Sequence, residues 1–328
     1  MTDLIPPHGL IELSEVAADQ RPLIEAFRAN GSRSFQDAGS MAASREAYET
    51  SSAANGLAKD ELALVEDVAI GSGDEQFGVR VYDPRAERSA ADAVLVFFHG
   101  GGWVIGSLET HDAVCRRFAT RTGLPVVAVD YRLGPEFPFP AAHLDCQRAI
   151  EWVRDESTAR GWNAERIVTV GDSAGGGLAT ALAFLPSLAV DGTEIVAQLL
   201  LYPVLDLANE SPSYAKIEEG FPLTANSMRW FAENFLADPA DASDPRVSPL
   251  LAVELGDAPQ PPAWVLSLGL DPLADEAIEY AGLLARNGTR VEHVHLPHHA
   301  HGLFTSAGKI RTGEEMIDRA SEFLERVL

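Results

Sequence analysis

The sequence predicts an α/β protein with a mostly parallel central sheet of about eight strands, covered by helices on both faces. Three observations carry that expectation. From residue 94 onward, short β-branched or apolar runs alternate with longer stretches of helical pattern, the rhythm of parallel strands joined by crossover helices. The runs at 65–70, 78–82 and 93–98 follow one another quickly with turn residues between them, which suits an antiparallel approach to a sheet. Finally, Gly171-Asp172-Ser173-Ala174-Gly175 stands between a β-branched run at 167–170 and a run of small and apolar helix formers at 178–185.

Taken in order, residues 1–58 are polar, alanine-rich and mostly helical in pattern, interrupted at Gly31 and across 37–40. Nothing there looks catalytic; the segment reads either as a surface extension or as helices covering a pocket built later in the chain. The three early strands follow. Next come a helix around 111–122, a strand at 125–130 and a helix around 141–157 that carries Ala149, Ile150, Trp152 and Val153. The strand at 167–170 and its helix lead to a strand at 196–202, an irregular insert over 205–245 and a strand at 263–268. A helix at 274–286, a strand at 290–296 and a final helix at 313–327 complete the set. The insert carries Phe221, Met228, Trp230, Phe231 and Phe235, so it reads either as surface helix or as a lid folded over apolar surface.

Composition bounds the function. A chain of 328 residues with 46% hydrophobic content can bury a sizeable core, here expected to be a single domain spanning 1–328. The net charge of −24 argues against nucleic acid or an anionic membrane as partner. Cys115 and Cys146 fall in predicted helices and read as buried free thiols. Residues 1–7 lack a basic stretch followed by an apolar core, and no apolar run is long enough to span a bilayer, so a soluble, cytoplasmic protein is expected. Its oligomeric state is left open, with a homodimer as the candidate.

The chemistry gathers around G-x-S-x-G. In a sharp strand-to-helix turn the glycines leave room for crowded backbone, and the serine oxygen stands above the sheet beside a helix N-terminus. Ser173 therefore reads as a nucleophile or, more plainly, as a helix N-cap; a phosphate loop is disfavoured because no G-K-[ST] follows. His99-Gly100-Gly101-Gly102-Trp103, directly after the 93–98 strand, reads as a plain glycine turn or as backbone N–H donors for an oxyanion. A serine nucleophile needs a base, and the base needs a carboxylate to orient it. Asp271 follows the 263–268 strand and His301 follows the 290–296 strand, so both should emerge at the sheet edge that bears Ser173. Asp275 and Glu276 read as first-turn acids of the next helix. The cluster His293, His295, His298, His299 and His301 lacks the spacing of a metal site, and no metal or cofactor is expected. Gly302 after His301 singles that histidine out, since it lets the chain turn sharply.

Six segments, in order, resemble the hormone-sensitive-lipase-like family of α/β-hydrolase carboxylesterases, also called family IV. They are His99-Gly100-Gly101-Gly102-Trp103, Asp130-Tyr131-Arg132-Leu133-Gly134-Pro135-Glu136, Gly171-Asp172-Ser173-Ala174-Gly175-Gly176, Leu201-Tyr202-Pro203-Val204-Leu205-Asp206, Asp271-Pro272-Leu273 and His301-Gly302. Asp172 resembles the family's G-D-S-A-G subgroup. The resemblance implies an α/β-hydrolase fold and a small-molecule ester substrate. It also implies Ser173 as nucleophile, Asp271 as acid and His301 as base, with an oxyanion hole of the Gly100, Gly101 and Ala174 N–H groups. His99 and Glu136 are implied as structural support, and a helical cap as formed by about 1–58 and 205–245. Gly134, Phe137, Ala274 and Leu303 depart from residues common in the family. The expected activity is hydrolysis of short-chain carboxylic esters. An amidase or formamidase on the same triad, and a non-catalytic small-molecule receptor on a hydrolase scaffold, are the rivals.

Overall fold

The computed structural model describes residues 9–88, 92–252 and 260–328; residues 1–7, where a leader would lie, fall outside the described residues. Among the described residues, eight strands form one sheet: β1 (Leu64–Ile70), β2 (Phe77–Asp83), β3 (Asp92–Phe98), β4 (Val126–Asp130), β5 (Trp162–Asp172), β6 (Ile195–Leu201), β7 (Ala263–Leu270) and β8 (Val291–Ala300). Their spatial order is β1-β2-β4-β3-β5-β6-β7-β8. β2 pairs antiparallel with both β1 and β4, and every pairing from β4 across to β8 is parallel.

The helices are α1 (Arg21–Ala29), α2 (Met41–Asn55), α3 (Leu108–Thr122), α4 (Ala141–Arg160), α5 (Ala174–Phe184), α6 (Pro212–Lys216), α7 (Ala225–Phe235), α8 (Ala274–Arg286) and α9 (Arg311–Val327). Strand periodicity sorts the core into two layers. Val94, Val96 and Phe98 of β3 face one way, onto Ile150 and Val153 of α4, Leu178 of α5 and Tyr280 of α8. Leu95 and Phe97 face the other way, onto Cys115 and Phe118 of α3 and Ile317 and Phe323 of α9. All five are at most 1% exposed, and burial of each such side chain contributes about 1.5–3 kcal/mol. That is why the centre of the sheet reads as continuous apolar sequence. Both cysteines are buried and unpaired.

Three of the boundaries that differ from the expectation have a clear local reason. α3 begins at Leu108, because Ser107 and Thr110 exchange hydrogen bonds as a capping box. β5 starts as early as Trp162, one residue after Gly161 ends α4 in a left-handed conformation (φ 71°). β8 continues to Ala300, so His298 and His299 belong to the strand and not to the following loop. Pro297 does not end it, since β8 lies at the edge of the sheet, where a missing N–H is tolerated. Among the described residues, no helix is long and apolar enough to cross a membrane.

Candidate active site

The parallel strands all run in one direction, so the residues after them share one edge of the sheet. His99 follows β3, Ser173 follows β5, Asp271 follows β7 and His301 follows β8. Ser173 has φ 55° and ψ −121°, left-handed backbone that a residue with a Cβ rarely adopts. The turn is pinned by Ser173 N–H to Leu201 O at 2.9 Å, with Ser173 O accepting from Gly176 and Val204, each at 2.9 Å. A methyl group on Gly171 would strike the Gly175 carbonyl, and one on Gly175 would strike the Phe98 carbonyl. Only glycine fits at either position.

The three side chains expected to act together do meet. His301 Nε2 lies 2.9 Å from Ser173 Oγ, and His301 Nδ1 lies 2.6 Å from Asp271 Oδ2. Asp271 is fully buried, and its Oδ1 accepts the Leu273 N–H at 2.9 Å, which fixes the carboxylate plane. Gly302, at φ 86°, supplies the turn after His301. The Tyr202 ring packs 4.6 Å from the imidazole, centroid to centroid. Ala300, just before His301, is held on both sides by one amide: Gln20 Nε2 donates to Ala300 O at 2.9 Å, and Ala300 N–H donates to Gln20 Oε1 at 2.7 Å. Nothing in the sequence around Gln20 marks that role.

The other four histidines have different partners. His293 Nε2 and His295 Nδ1 converge on Ser267 Oγ at 2.8 and 2.9 Å, His298 Nδ1 lies 2.9 Å from Glu15 O, and His299 Nε2 lies 3.2 Å from Asp19 Oδ1. Among the described residues, no group of three or more histidines, cysteines or acids is arranged to hold a metal ion.

The glycine run requires a correction. Gly100 was expected to offer its N–H to an oxyanion, but that N–H is donated to Asp172 Oδ1 at 2.8 Å. Gly100 is also absent from the cavity wall, whereas Gly101 and Gly102 line it together with Ser173 and His301. Among the described residues, the Gly101 and Gly102 N–H groups have no hydrogen-bond acceptor, and Ala174 is the first residue of α5, where N–H groups lack helical partners. The free donors are therefore displaced one residue along the run. Gly101 and Gly102 have φ 121° and 59°; a methyl on Gly101 would strike the Ile105 carbonyl and one on Gly102 the Phe231 ring, so the loop is closely packed.

Asp172 anchors a buried polar cluster beneath this loop. Burial opposes its charge, but His111 Nε2 at 3.0 Å and the Gly100 N–H outweigh that, holding the carboxyl below its usual range. The His99 ring stacks on Tyr131 at 4.2 Å and donates from Nδ1 to Gly100 O at 2.8 Å. Burial, and then His111, push His99 down to about 4, so it is neutral at pH 7. Glu136 sits further out in a two-point ion pair with Arg45 of α2, at 2.6 and 3.0 Å. Arg45 also donates to Val104 O and Gly134 O, which joins α2 to the loops after β3 and β4. Asp275 and Glu276 do lie in the first turn of α8, as expected, but Glu276 is buried there and accepts the Leu205 N–H at 2.9 Å. Burial raises its carboxyl well above the usual range.

A cavity of about 120 Å3 opens above Ser173. Its apolar wall comes from Phe35, Tyr48, Ile105, Leu223 and Phe231, so two segments without motifs, the N-terminal helices and the insert, contribute to it. Phe235, also in the insert, stacks on Trp103 at 4.3 Å.

Residues 95–305 match the family described as alpha/beta hydrolase fold. The chain is 34% identical to the ethyl acetate hydrolase of Pseudomonas putida, over 93% of this chain and 96% of that protein. It is 38% identical to the carboxylic ester hydrolase LipN of Mycobacterium tuberculosis, over 80% of this chain and 71% of that protein. Among solved structures, the hyperthermophilic esterase of the archaeon Pyrobaculum calidifontis superposes with a TM-score of 0.85 at 34% identity, covering 95% of this chain and 98% of that one.

Proposed function

The chain belongs to the α/β-hydrolase carboxylesterases of the hormone-sensitive-lipase-like type, and from that premise we propose that it cleaves short-chain carboxylic esters through an acyl-enzyme on Ser173. The observation that carries the reading is the continuous chain from Asp271 through His301 to the Ser173 oxygen, ending in a cavity lined by Gly101 and Gly102. Ser173 Oγ attacks the ester carbonyl carbon while His301 Nε2 takes its proton, and Asp271 stabilises the imidazolium that forms. The carbonyl oxygen becomes negative and accepts hydrogen bonds from the N–H groups of Gly101, Gly102 and Ala174. His301 then gives its proton to the departing alcohol. A water repeats the attack, losing its proton to His301, and the carboxylic acid leaves as Ser173 is restored.

His99, Asp172 and His111 act beneath the loop by holding Gly100, which leaves the next two N–H groups free. Glu136 acts further away, through Arg45. The N-terminal helices and the 205–245 insert form a cap on a single α/β-hydrolase domain; the support for this is that Tyr48 of one segment and Phe231 of the other line the same cavity. Because that cavity is small beside the roughly 300–1,000 Å3 usual for ligand sites, the acyl chain is short, with an optimum within about two to eight carbons.

The test compares four substrates: a dissolved aryl acetate, the aryl butyrate, the matching butyranilide and a long-chain triglyceride emulsion. Fast turnover of both esters, with slow turnover of the anilide and the emulsion, is expected. An anilide hydrolysed as fast as its ester would favour an amidase, and a preference for the emulsion would contradict the closed cavity.

A further inference from the structure

A second chamber, of about 470 Å3, adjoins the cavity at Ser173. His301, Gly302 and Pro222 border both, whereas Ser173, Gly101 and Gly102 border only the inner one. In the hydrolytic reading of Ser173, on which the role of this chamber rests, the acyl carbon and its oxyanion occupy the inner cavity. The alcohol oxygen must receive its proton from His301 Nε2, so the alcohol portion of the ester lies on the histidine side and extends into the outer chamber.

The outer wall has a distinctive charge. The chain has 49 acidic residues and a net charge of −24, yet no Asp or Glu is among the described residues lining this chamber. One cation is: Arg33, in the turn after α1, with Asn30 on the same wall. Arg33 makes no hydrogen bond or ion pair with any described residue, in contrast to Arg28 and Arg45 close to it in sequence, which are bound to carbonyls or to Glu136. A guanidinium without a protein partner at the mouth of an acid-free chamber offers a forked donor for a carboxylate or similar anion. Elsewhere the negative field of the chain repels such groups.

We infer that the outer chamber favours esters whose alcohol portion carries an anionic group, such as a carboxylate, held by Arg33. Arg33 is exposed, so its contribution is that of a solvated ion pair and appears mainly in KM.

The test uses two acetate esters of similar size, 4-acetoxybenzoate and neutral 4-acetoxybenzamide, with the full-length chain and its Arg33→Gln and Arg33→Glu variants. Taking the ratio of kcat/KM for the two esters in each protein cancels their different leaving-group reactivities. Arg33→Gln is expected to lower that ratio about three- to fivefold, and Arg33→Glu about tenfold or more, with the benzamide ester changing less than about twofold. The wild-type advantage over Arg33→Gln in that ratio should shrink as salt is raised from about 0.01 to 0.5 M, because screening weakens the pair while the distant negative field of the chain acts on both proteins. Equal effects on both esters, or no effect on either, would overturn the inference while leaving the hydrolytic reading intact. A wild-type chain that hydrolyses neither ester would overturn both.

Discussion

Five histidines fall within nine residues at the end of the sheet, and the partners of each, more than its position, decide which can act on Ser173. Only His301 joins a serine at the sheet edge to a buried carboxylate. His301→Ala is therefore expected to lower kcat on a soluble aryl ester by several orders of magnitude, about 10⁴ or more, while His298→Ala and His299→Ala change it by less than about tenfold. Near-normal turnover in His301→Ala, with loss in a neighbour, would reassign the base. Gly101→Ala is expected to lower both kcat and melting temperature, because its methyl meets the Ile105 backbone and its φ of 121° is strained for alanine; unchanged melting would contradict that packing. A third expectation concerns His143, which burial pushes down to about 4. The unfolded chain takes up a proton at such a histidine near pH 6.5, before the folded chain does. Its contribution to stability is thus complete above about pH 6.5 and declines as pH falls towards 4, by up to about 3 kcal/mol. His143→Gln should flatten the stability–pH slope in that window, as measured by denaturant unfolding; an unaltered slope would show that His143 does not contribute to it. At this scale Ser173, Asp271 and His301 were legible, because motif and strand order both point to the same sheet edge. The identity of the free glycine N–H groups was not legible. It is decided by the Asp172 carboxylate, which reaches Gly100 only once β3 and β5 lie side by side.

Among the elements, the central strands were readable because burial on both faces makes them continuously apolar, and the antiparallel entry was readable from its turns. The end of β8 was hidden by Pro297, since a sequence does not announce that a strand lies at a sheet edge. The contribution of α2 was also hidden: Arg45, Tyr48 and Ser51 form no motif, and their importance comes from contacts with loops far away in the chain. Arg45→Ala removes charge-assisted hydrogen bonds to Val104 O, Gly134 O and Glu136 from a side chain that is 30% exposed. The expected cost is about 1–3 kcal/mol and a melting temperature lower by about 2–5 °C, with a larger rise in KM than fall in kcat as the cavity wall loosens. A variant that melts normally and has normal KM would show that α2 is held by its apolar contacts alone.

For the whole molecule, a charge of −24 brings long-range repulsion that numerous close ion pairs, such as Arg88–Asp83 and Arg132–Asp145, only locally offset. Salt screens the distant repulsion more than it weakens pairs that are largely buried. The melting temperature is thus expected to rise between about 0.01 and 0.5 M sodium chloride; a fall would mean that the pairs dominate. The same fold brings four strand ends to one edge, so that residues separated by 128 positions, Ser173 and His301, share a hydrogen bond. The most direct test of that arrangement is intact-mass spectrometry after exposure to a fluorophosphonate ester probe. One phosphonyl group per wild-type chain is expected, mapped by peptide sequencing to Ser173 and absent from Ser173→Ala and from His301→Ala over the same exposure. A wild-type chain left unlabelled, or a label on any other residue, would contradict the account.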